Sequence, residues 1–111
     1  MAHFPKYIIK RSSNYQYVWV LYAVNGEAIL NGETYVTKQG ALTGIASSKK
    51  NVTESNFVRK TSSNWQYYFI QVANNGETIG TSEMYNTSQG RDNGITAVKR
   101  DAPIAEIEDL T

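Results

Sequence analysis

Several residue types that support chemistry or targeting are scarce in this 111-residue sequence. There is no cysteine, which excludes disulfides and thiol catalysis, and the single histidine, His3, is too few for a Ser-His-Asp triad or a histidine-rich metal site. The glycines fall singly, so there is no Gly-rich phosphate loop. We therefore predict no catalytic residue, no cofactor and no bound metal.

Charge and hydropathy disfavour two further classes of partner. The formal net charge of +1 gives no field that would draw the chain to nucleic acid or anionic lipid. The longest apolar run, Val18 to Val24, is too short to cross a bilayer. The first residues lack the apolar core of a signal peptide. We expect a cytoplasmic protein with no membrane contact.

What the sequence does contain is an internal repeat without gaps. When residues 7–50 are aligned with residues 57–100, 19 of the 44 pairs are identical. One repeat is too short to bury a good core alone, so the pair is expected to fold as one domain over residues 1–111. Repeat one covers about residues 4–53, and repeat two covers about residues 54–111.

Each repeat reads as three strands, a helix and a returning strand. In repeat one the strands are predicted at Lys6 to Arg11, Tyr15 to Val24 and Glu27 to Asn31, with a two-residue hairpin turn at Asn25-Gly26. The last strand of the chain, Ile104 to Leu110, is acidic, whereas the first strand is basic. Opposite charges on neighbouring strands are favourable, so the last strand is predicted to cross over to repeat one.

The helices are predicted at Lys38 to Lys50 and at Ser88 to Arg100, with Thr37 and Thr87 as N-caps. Each helix contains two glycines four residues apart, and each interior glycine costs about 1 kcal/mol relative to alanine. Their retention in both repeats predicts close packing of each helix against the sheet or the other helix.

The landmarks of the two repeats resemble those of the YegP-like family, small bacterial proteins without an assigned function. The resemblance rests on Tyr17 and Trp19 before the Asn25-Gly26-Glu27 turn, and on Ser82, Glu83 and Tyr85 before the second helix. It also rests on Gly94-Ile95 and on the run from Lys99 to Pro103. Repeat one departs at Gly32, where serine is usual, and at Asn51-Val52, which replaces Ala-Pro.

The resemblance implies an α+β domain in which two tandem β-β-β-α-β repeats form one antiparallel sheet. Two helices pack on that sheet, and the closing strands are exchanged between the repeats. The resemblance supplies no catalytic residue.

Strand alternation predicts which side chains meet the helices. Tyr15, Tyr17, Trp19 and Leu21 share one face with Trp65, Tyr67 and Phe69, and this face is expected to pack under the helices. The opposite face is also apolar, although an antiparallel sheet usually has one wet side. Its residues form the predicted interaction surface: Val18, Val20, Tyr22, Tyr68, Ile70 and Val72. Coverage of that face by another segment is the open alternative.

Four further side chains in equivalent positions are candidates for chemistry. Glu33 and Glu83 precede the two helices, and they could either form an acid-base pair or each support its own helix start. Tyr35 and Tyr85 are predicted to pack the corner between strand and helix, with a pocket-lining role as the alternative.

Three functional hypotheses follow. The first is a small non-enzymatic module that binds a protein partner or itself through the apolar sheet face. The second is a weak single-stranded nucleic-acid binder that stacks bases on the sheet aromatics, which the near-zero charge disfavours. The third, an enzyme that uses Glu33 and Glu83, has the least support.

Overall fold

The computed structural model describes residues 4–111, so His3 lies outside the described residues. The elements of repeat one are β1 (Lys6–Arg11), β2 (Tyr17–Tyr22), β3 (Ala28–Gly32) and α1 (Lys38–Lys50). They are followed by β4 (Phe57–Thr61), β5 (Tyr67–Val72), β6 (Thr78–Ser82), α2 (Ser88–Asp101) and β7 (Glu106–Asp109). Short 3-10 turns, Glu54–Asn56 and Ala102–Ile104, precede β4 and β7.

The seven strands form one sheet in the order β4-β5-β6-β3-β2-β1-β7, so β3 and β6 join the two repeats at its centre. The predicted α+β architecture is confirmed, and so is the crossing of the last strand to repeat one. β7 pairs with β1 in parallel, and this is the only parallel pair in the described chain. Lys6 forms an ion pair with Glu108, as the charge pattern predicted, whereas Asp109 pairs with Lys38 of α1 at 2.7 Å.

The hairpin turns explain where the strands begin and end. Gly26 and Gly76 adopt positive φ angles of 86° and 89°, which a tight turn after β2 and β5 requires. Tyr15 and Trp65 also have φ of 65° and lie in the turns before β2 and β5. They are 77% and 82% exposed, so the prediction that these two rings pack under the helices is wrong. The alternating pattern begins only at Tyr17 and Tyr67, because the turn reverses the chain just before them.

Both helices begin directly after the threonine that was predicted to be the N-cap of each. The Thr37 and Thr87 hydroxyls accept hydrogen bonds from the Gly40 and Gly90 N–H groups, each at 2.9 Å. The second glycine of each helix explains the close approach to the sheet. A Cβ added at Gly44 would lie 2.2 Å from the Tyr35 hydroxyl, and one added at Gly94 would lie 2.4 Å from the Tyr85 hydroxyl. In both repeats glycine therefore makes room for a tyrosine.

Both helices cover the same face of the sheet and bury one continuous core. The largest fully buried hydrophobic side chains come from strands of both repeats and from both helices: Tyr7, Ile9, Trp19, Leu21, Leu30, Phe69, Ile45, Ile95 and Val98. The two repeats therefore complete a single hydrophobic interior. Neither helix in the described part of the chain has the length and apolar character needed to span a membrane.

Candidate functional site

The face of the sheet opposite the helices carries the predicted interaction surface. Its six residues, Val18, Val20, Tyr22, Tyr68, Ile70 and Val72, are all partly exposed. They lie on β2 and β5, which flank the central strands β6 and β3. Neither helix covers this face, because their buried residues meet the side chains of the other face. Val20 and Ile70 are repeat counterparts and stand at equivalent places on it.

Two features divide and partly cover this face. Asn31 pairs with Thr81 across the two central strands, next to Val20 and Ile70, so a polar strip separates the apolar groups of the two repeats. At one end, the Phe4 ring packs against Tyr22 with ring centroids 6.1 Å apart. The surface is therefore two apolar patches, of which the one in repeat one is partly shielded by the N-terminal segment.

The structure does not bring Glu33 and Glu83 together. Both are exposed, and each lines a different cleft between a helix and the hairpin of the other repeat. The Asn31 side-chain amide donates a hydrogen bond to the Glu83 carboxylate, so this group is tied to the sheet and not to the start of α2. An acid-base pair of Glu33 and Glu83 is therefore not formed.

The two clefts are equivalent by the repeat but differ in size and lining. The cleft under α1 has a volume of about 300 Å³ and is bordered by Glu33, Tyr35 and Glu77. The cleft under α2 has a volume of about 600 Å³, and it adds a cation to the equivalent carboxylates. Its polar border is formed by Glu83, Tyr85, Glu27 and Arg100. Each cleft thus combines carboxylates from both repeats with one phenol.

Tyr35 and Tyr85 are half-buried and line these clefts. They therefore combine the two roles considered from the sequence, packing of the strand-to-helix corner and lining of a pocket. Burial raises the pKa of the Tyr35 hydroxyl, and the nearby Glu33 carboxylate adds to this. Burial also raises the pKa of the Tyr85 hydroxyl, with smaller contributions from Glu83 and Glu27. Both phenols are therefore neutral at physiological pH and can donate a hydrogen bond but cannot act as bases.

A buried polar network that sequence reasoning missed links both repeats. The Gln71 side-chain amide of β5 donates to the carbonyls of Ser48 and Asn51 at the end of α1, at 2.9 and 2.7 Å. The Ser48 hydroxyl donates to Gln71 Oε1 at 2.8 Å and shares a hydrogen bond of 2.7 Å with the Tyr7 hydroxyl. Gln71 is a polar residue in an otherwise apolar strand, and its counterpart fifty residues earlier is Leu21. This difference between the repeats was the sequence signal that could have indicated the network.

Two arginine side chains lie against tyrosine rings near the starts of β2 and β5. The Arg11 guanidinium lies 5.6 Å from the centroid of the Tyr15 ring and 5.2 Å from that of Tyr17. Arg91 lies 5.2 Å from the centroid of Tyr67. These contacts have the length of cation–π interactions. Aromatic rings and positive charge therefore coincide at two corners of the molecule, which the net charge alone did not indicate.

Comparison with known proteins finds the same repeat elsewhere. The family model described as Domain of unknown function (DUF1508) matches this chain twice, at residues 12–58 and 62–109. A UPF0339 protein of Shewanella oneidensis is 49% identical over 45 residues, which are 40% of this chain and 41% of that protein. The UPF0339 protein YegP of Yersinia pestis is also 49% identical over 45 residues, 40% of each chain. The matched segments thus span less than half the length of these relatives.

Solved structures extend the likeness over nearly the whole chain. The solution NMR structure of a UPF0339 protein from Shewanella oneidensis has a TM-score of 0.89 at 41% identity and covers 96% of this chain and 91% of that one. The solution NMR structure of yegP from E. coli, a protein of unknown function, has a TM-score of 0.91 at 38% identity. It covers 100% of this chain and 97% of its own. The likeness supports the tandem-repeat fold throughout.

Proposed function

The chain belongs to the DUF1508 family, a domain of unknown function, and we propose a function for it from its own surface. It is a small non-enzymatic module that binds protein through the outer face of its sheet. The observation that carries this proposal is the apolar surface formed by β2 and β5, which no helix of the described chain covers. Exposed apolar patches of a few hundred Å² commonly mark interaction sites. The Glu33 and Glu83 carboxylates border different clefts, so the enzyme hypothesis that needed them as a pair loses its support.

A second copy of the chain is the partner that this face fits best. The two apolar patches are related by the internal repeat, and the polar strip of Asn31 and Thr81 lies between them. In a symmetric dimer each patch would meet a patch of the other copy, which is the self-complementary arrangement of a twofold interface. Sheets that pack face to face in this way are common in β-sandwiches.

Light scattering after size-exclusion chromatography tests this proposal over a wide concentration range. We expect dimers at high concentration, and we expect Val20→Asp and Ile70→Asp each to shift the protein to monomer. Thr96→Asp, on the exposed surface of α2, is the matched control and should leave the dimer intact. A monomer at every concentration that also fails to bind an apolar dye would remove the outer face as an interaction site.

Single-stranded nucleic acid is a second candidate. It is favoured by Arg11, which lies against Tyr15 and Tyr17, and by Arg91, which lies against Tyr67. Trp65 is 82% exposed and can report base stacking by fluorescence quenching, whereas Trp19 is 1% exposed and cannot. Titration with mixed oligonucleotides at low salt should quench Trp65, and the quenching should weaken as salt is added. An unchanged spectrum rejects this candidate, and Trp65→Phe identifies the source of any signal.

A further inference from the structure

The two ends of the sheet are built from equivalent hairpins but finish differently. β1 and β4 pair with their neighbours in the same register, since Ile8 faces Val20 and Val58 faces Ile70. The other edge of β1 carries β7, whereas β4 is the last strand of the sheet and no strand of residues 4–111 pairs with its outer edge. The internal symmetry therefore leaves one strand position without an occupant from the described chain.

β7 shows how an extended segment binds at such an edge. It runs parallel to β1 with Asp109 opposite Ile9. The Leu110 N–H donates to the Ile9 carbonyl at 2.8 Å, and the Glu106 N–H donates to the Pro5 carbonyl at 3.4 Å. Backbone hydrogen bonds of this kind are how peptides add a strand to an existing sheet.

β4 offers the same register at its open edge, except that the Phe57 N–H already donates to the Glu54 carbonyl. Phe57 and Arg59 stand in β4 where Tyr7 and Ile9 stand in β1, fifty residues earlier. Phe57 is buried, and the four residues after it are exposed. A segment bound in the register of β7 would place the residue equivalent to Ile107 beside Phe57. It would place the residue equivalent to Asp109 beside Arg59.

The open edge carries an excess of positive charge. Three solvent-accessible cations lie on β4 or on α2 beside it, namely Arg59, Lys60 and Lys99. A fourth, Arg91, is largely buried against Tyr67 and pairs with Asp92 at 3.6 Å. Arg59 pairs with Asp92 at 2.9 Å and with Glu54 at 2.5 Å, and Lys99 pairs with Glu54 at 2.6 Å. Ion pairs this exposed contribute little to stability, so a carboxylate from another molecule can replace one of them. The same positive charges would repel one another if the β4 edges of two copies of the chain were to pair.

We propose that the outer edge of β4 is a docking site for an extended acidic segment of a partner protein, which binds parallel to β4 as β7 binds to β1. The segment carries an apolar residue beside Phe57 and a carboxylate beside Arg59. Charge complementarity selects this occupant, since β7 itself carries Glu106, Glu108 and Asp109 and pairs with basic β1. The chain's own β7 is already bound to β1 and is not free to fill the site.

A synthetic peptide with the sequence of residues 102–111 is a suitable probe, titrated into isotope-labelled full-length protein and followed by NMR. We expect chemical-shift changes at the Phe57 and Arg59 amides with little change at Tyr7 and Ile9. A peptide with lysine in place of its acidic residues should bind about tenfold more weakly or worse, because it meets like charge. A peptide with Leu110→Pro lacks the N–H that would donate to the Arg59 carbonyl and should also bind more weakly.

The protein variants separate the two edges. Lys60→Glu should weaken peptide binding, whereas Lys10→Glu, its counterpart on the covered edge, should not; both side chains are exposed, so folding should survive. Changes confined to Tyr7 and Ile9 would mean that the peptide displaces β7, and they would overturn the proposal. No change at millimolar peptide would also overturn it, as would association of copies through β4 that excludes the peptide. Because Lys60 pairs with Tyr68 of the outer face, the titration is run at a concentration at which light scattering shows a monomer, so that the result does not depend on whether the outer face forms a dimer.

Discussion

The C-terminal ends of the two helices occupy equivalent places but are stabilised differently. At the end of α1, Tyr7, Ser48 and Gln71 form a buried hydrogen-bonded network. Their counterparts at the end of α2 are apolar and buried, and these are Phe57, Val98 and Leu21. The last carbonyls of a helix have no partner within it, and at α1 a glutamine from the other repeat supplies one. The end of α1 thus depends on an uncharged network with its neighbour, whereas the end of α2 combines packing with the buried Asp101 carboxylate, which accepts a hydrogen bond from the Val24 N–H at 3.1 Å.

The strand centres show a second paired difference. Repeat one has Trp19 and Gly32 where repeat two has Phe69 and Ser82. A Cβ added at Gly32 would lie 2.2 Å from the Trp19 ring, so the larger ring requires glycine. In repeat two the smaller ring leaves room for Ser82, whose hydroxyl accepts a hydrogen bond from the Phe69 N–H at 2.9 Å. The two copies have diverged by coupled changes that keep the core filled.

The largest expected effect comes from exchanging one member of this pair. Gly32→Ser should destabilise the protein by about 3 kcal/mol, because the new Cβ enters the space of a buried indole. Adding Trp19→Phe gives repeat one the pair found in repeat two and should recover most of that loss. Chemical denaturation of both single variants and the double variant measures the coupling. A change below about 0.5 kcal/mol for Gly32→Ser alone would show that the ring moves freely.

The second test converts the polar helix end into the apolar one. Gln71→Leu should cost about 2 kcal/mol, because the Ser48 and Asn51 carbonyls lose their donor while remaining buried. Adding Ser48→Val and Tyr7→Phe, the residues found in repeat two, removes the remaining hydroxyls and should recover part of that loss, while the two carbonyls stay without a donor. Thermal and denaturant unfolding report this directly. If the triple variant is less stable than Gln71→Leu, the network contributes more than the satisfaction of its own groups.

These differences also define what the sequence could predict. The helices begin at Thr37 and Thr87 as predicted, because a cap hydroxyl and the glycine spacing are local features. The crossing of β7 was also predictable, since its charges complement those of β1. The exposure of Tyr15 and Trp65 was not, because a positive φ at an aromatic residue overrides the alternation of the strand that follows. The separation of Glu33 and Glu83 depends on how the central strands pair, which equivalence by the repeat does not specify.

A smaller effect should distinguish the glycines within one helix. Gly44→Ala places a methyl group 2.2 Å from the Tyr35 hydroxyl, whereas Gly40→Ala places one 3.1 Å from the Thr37 hydroxyl. The gain in helix propensity is about 1 kcal/mol at either position. We expect Gly44→Ala to lose about 1 kcal/mol net and Gly40→Ala to be near neutral, as measured by thermal unfolding. Equal changes at both positions would contradict the assignment of Gly44 to tyrosine packing.

The smallest effect concerns the open edge of β4. Ion pairs lie beside this edge, whereas the equivalent edge of β1 is covered by β7. Lys99 and Arg59 lower the pKa of Glu54 from 4.5 to about 2. A carboxylate with a lowered pKa stabilises the fold above its unfolded pKa, and that contribution is lost as the pH falls from about 4.5 towards 2. Glu54→Gln should therefore lower the stability at pH 7 slightly, because the pairs are exposed, and should remove the matching fall in stability between about pH 4.5 and 2. Denaturant titrations at several pH values test this, with the exposed Glu77→Gln as the control. Identical acid profiles for Glu54→Gln and the parent would show that these ion pairs do not stabilise the open edge.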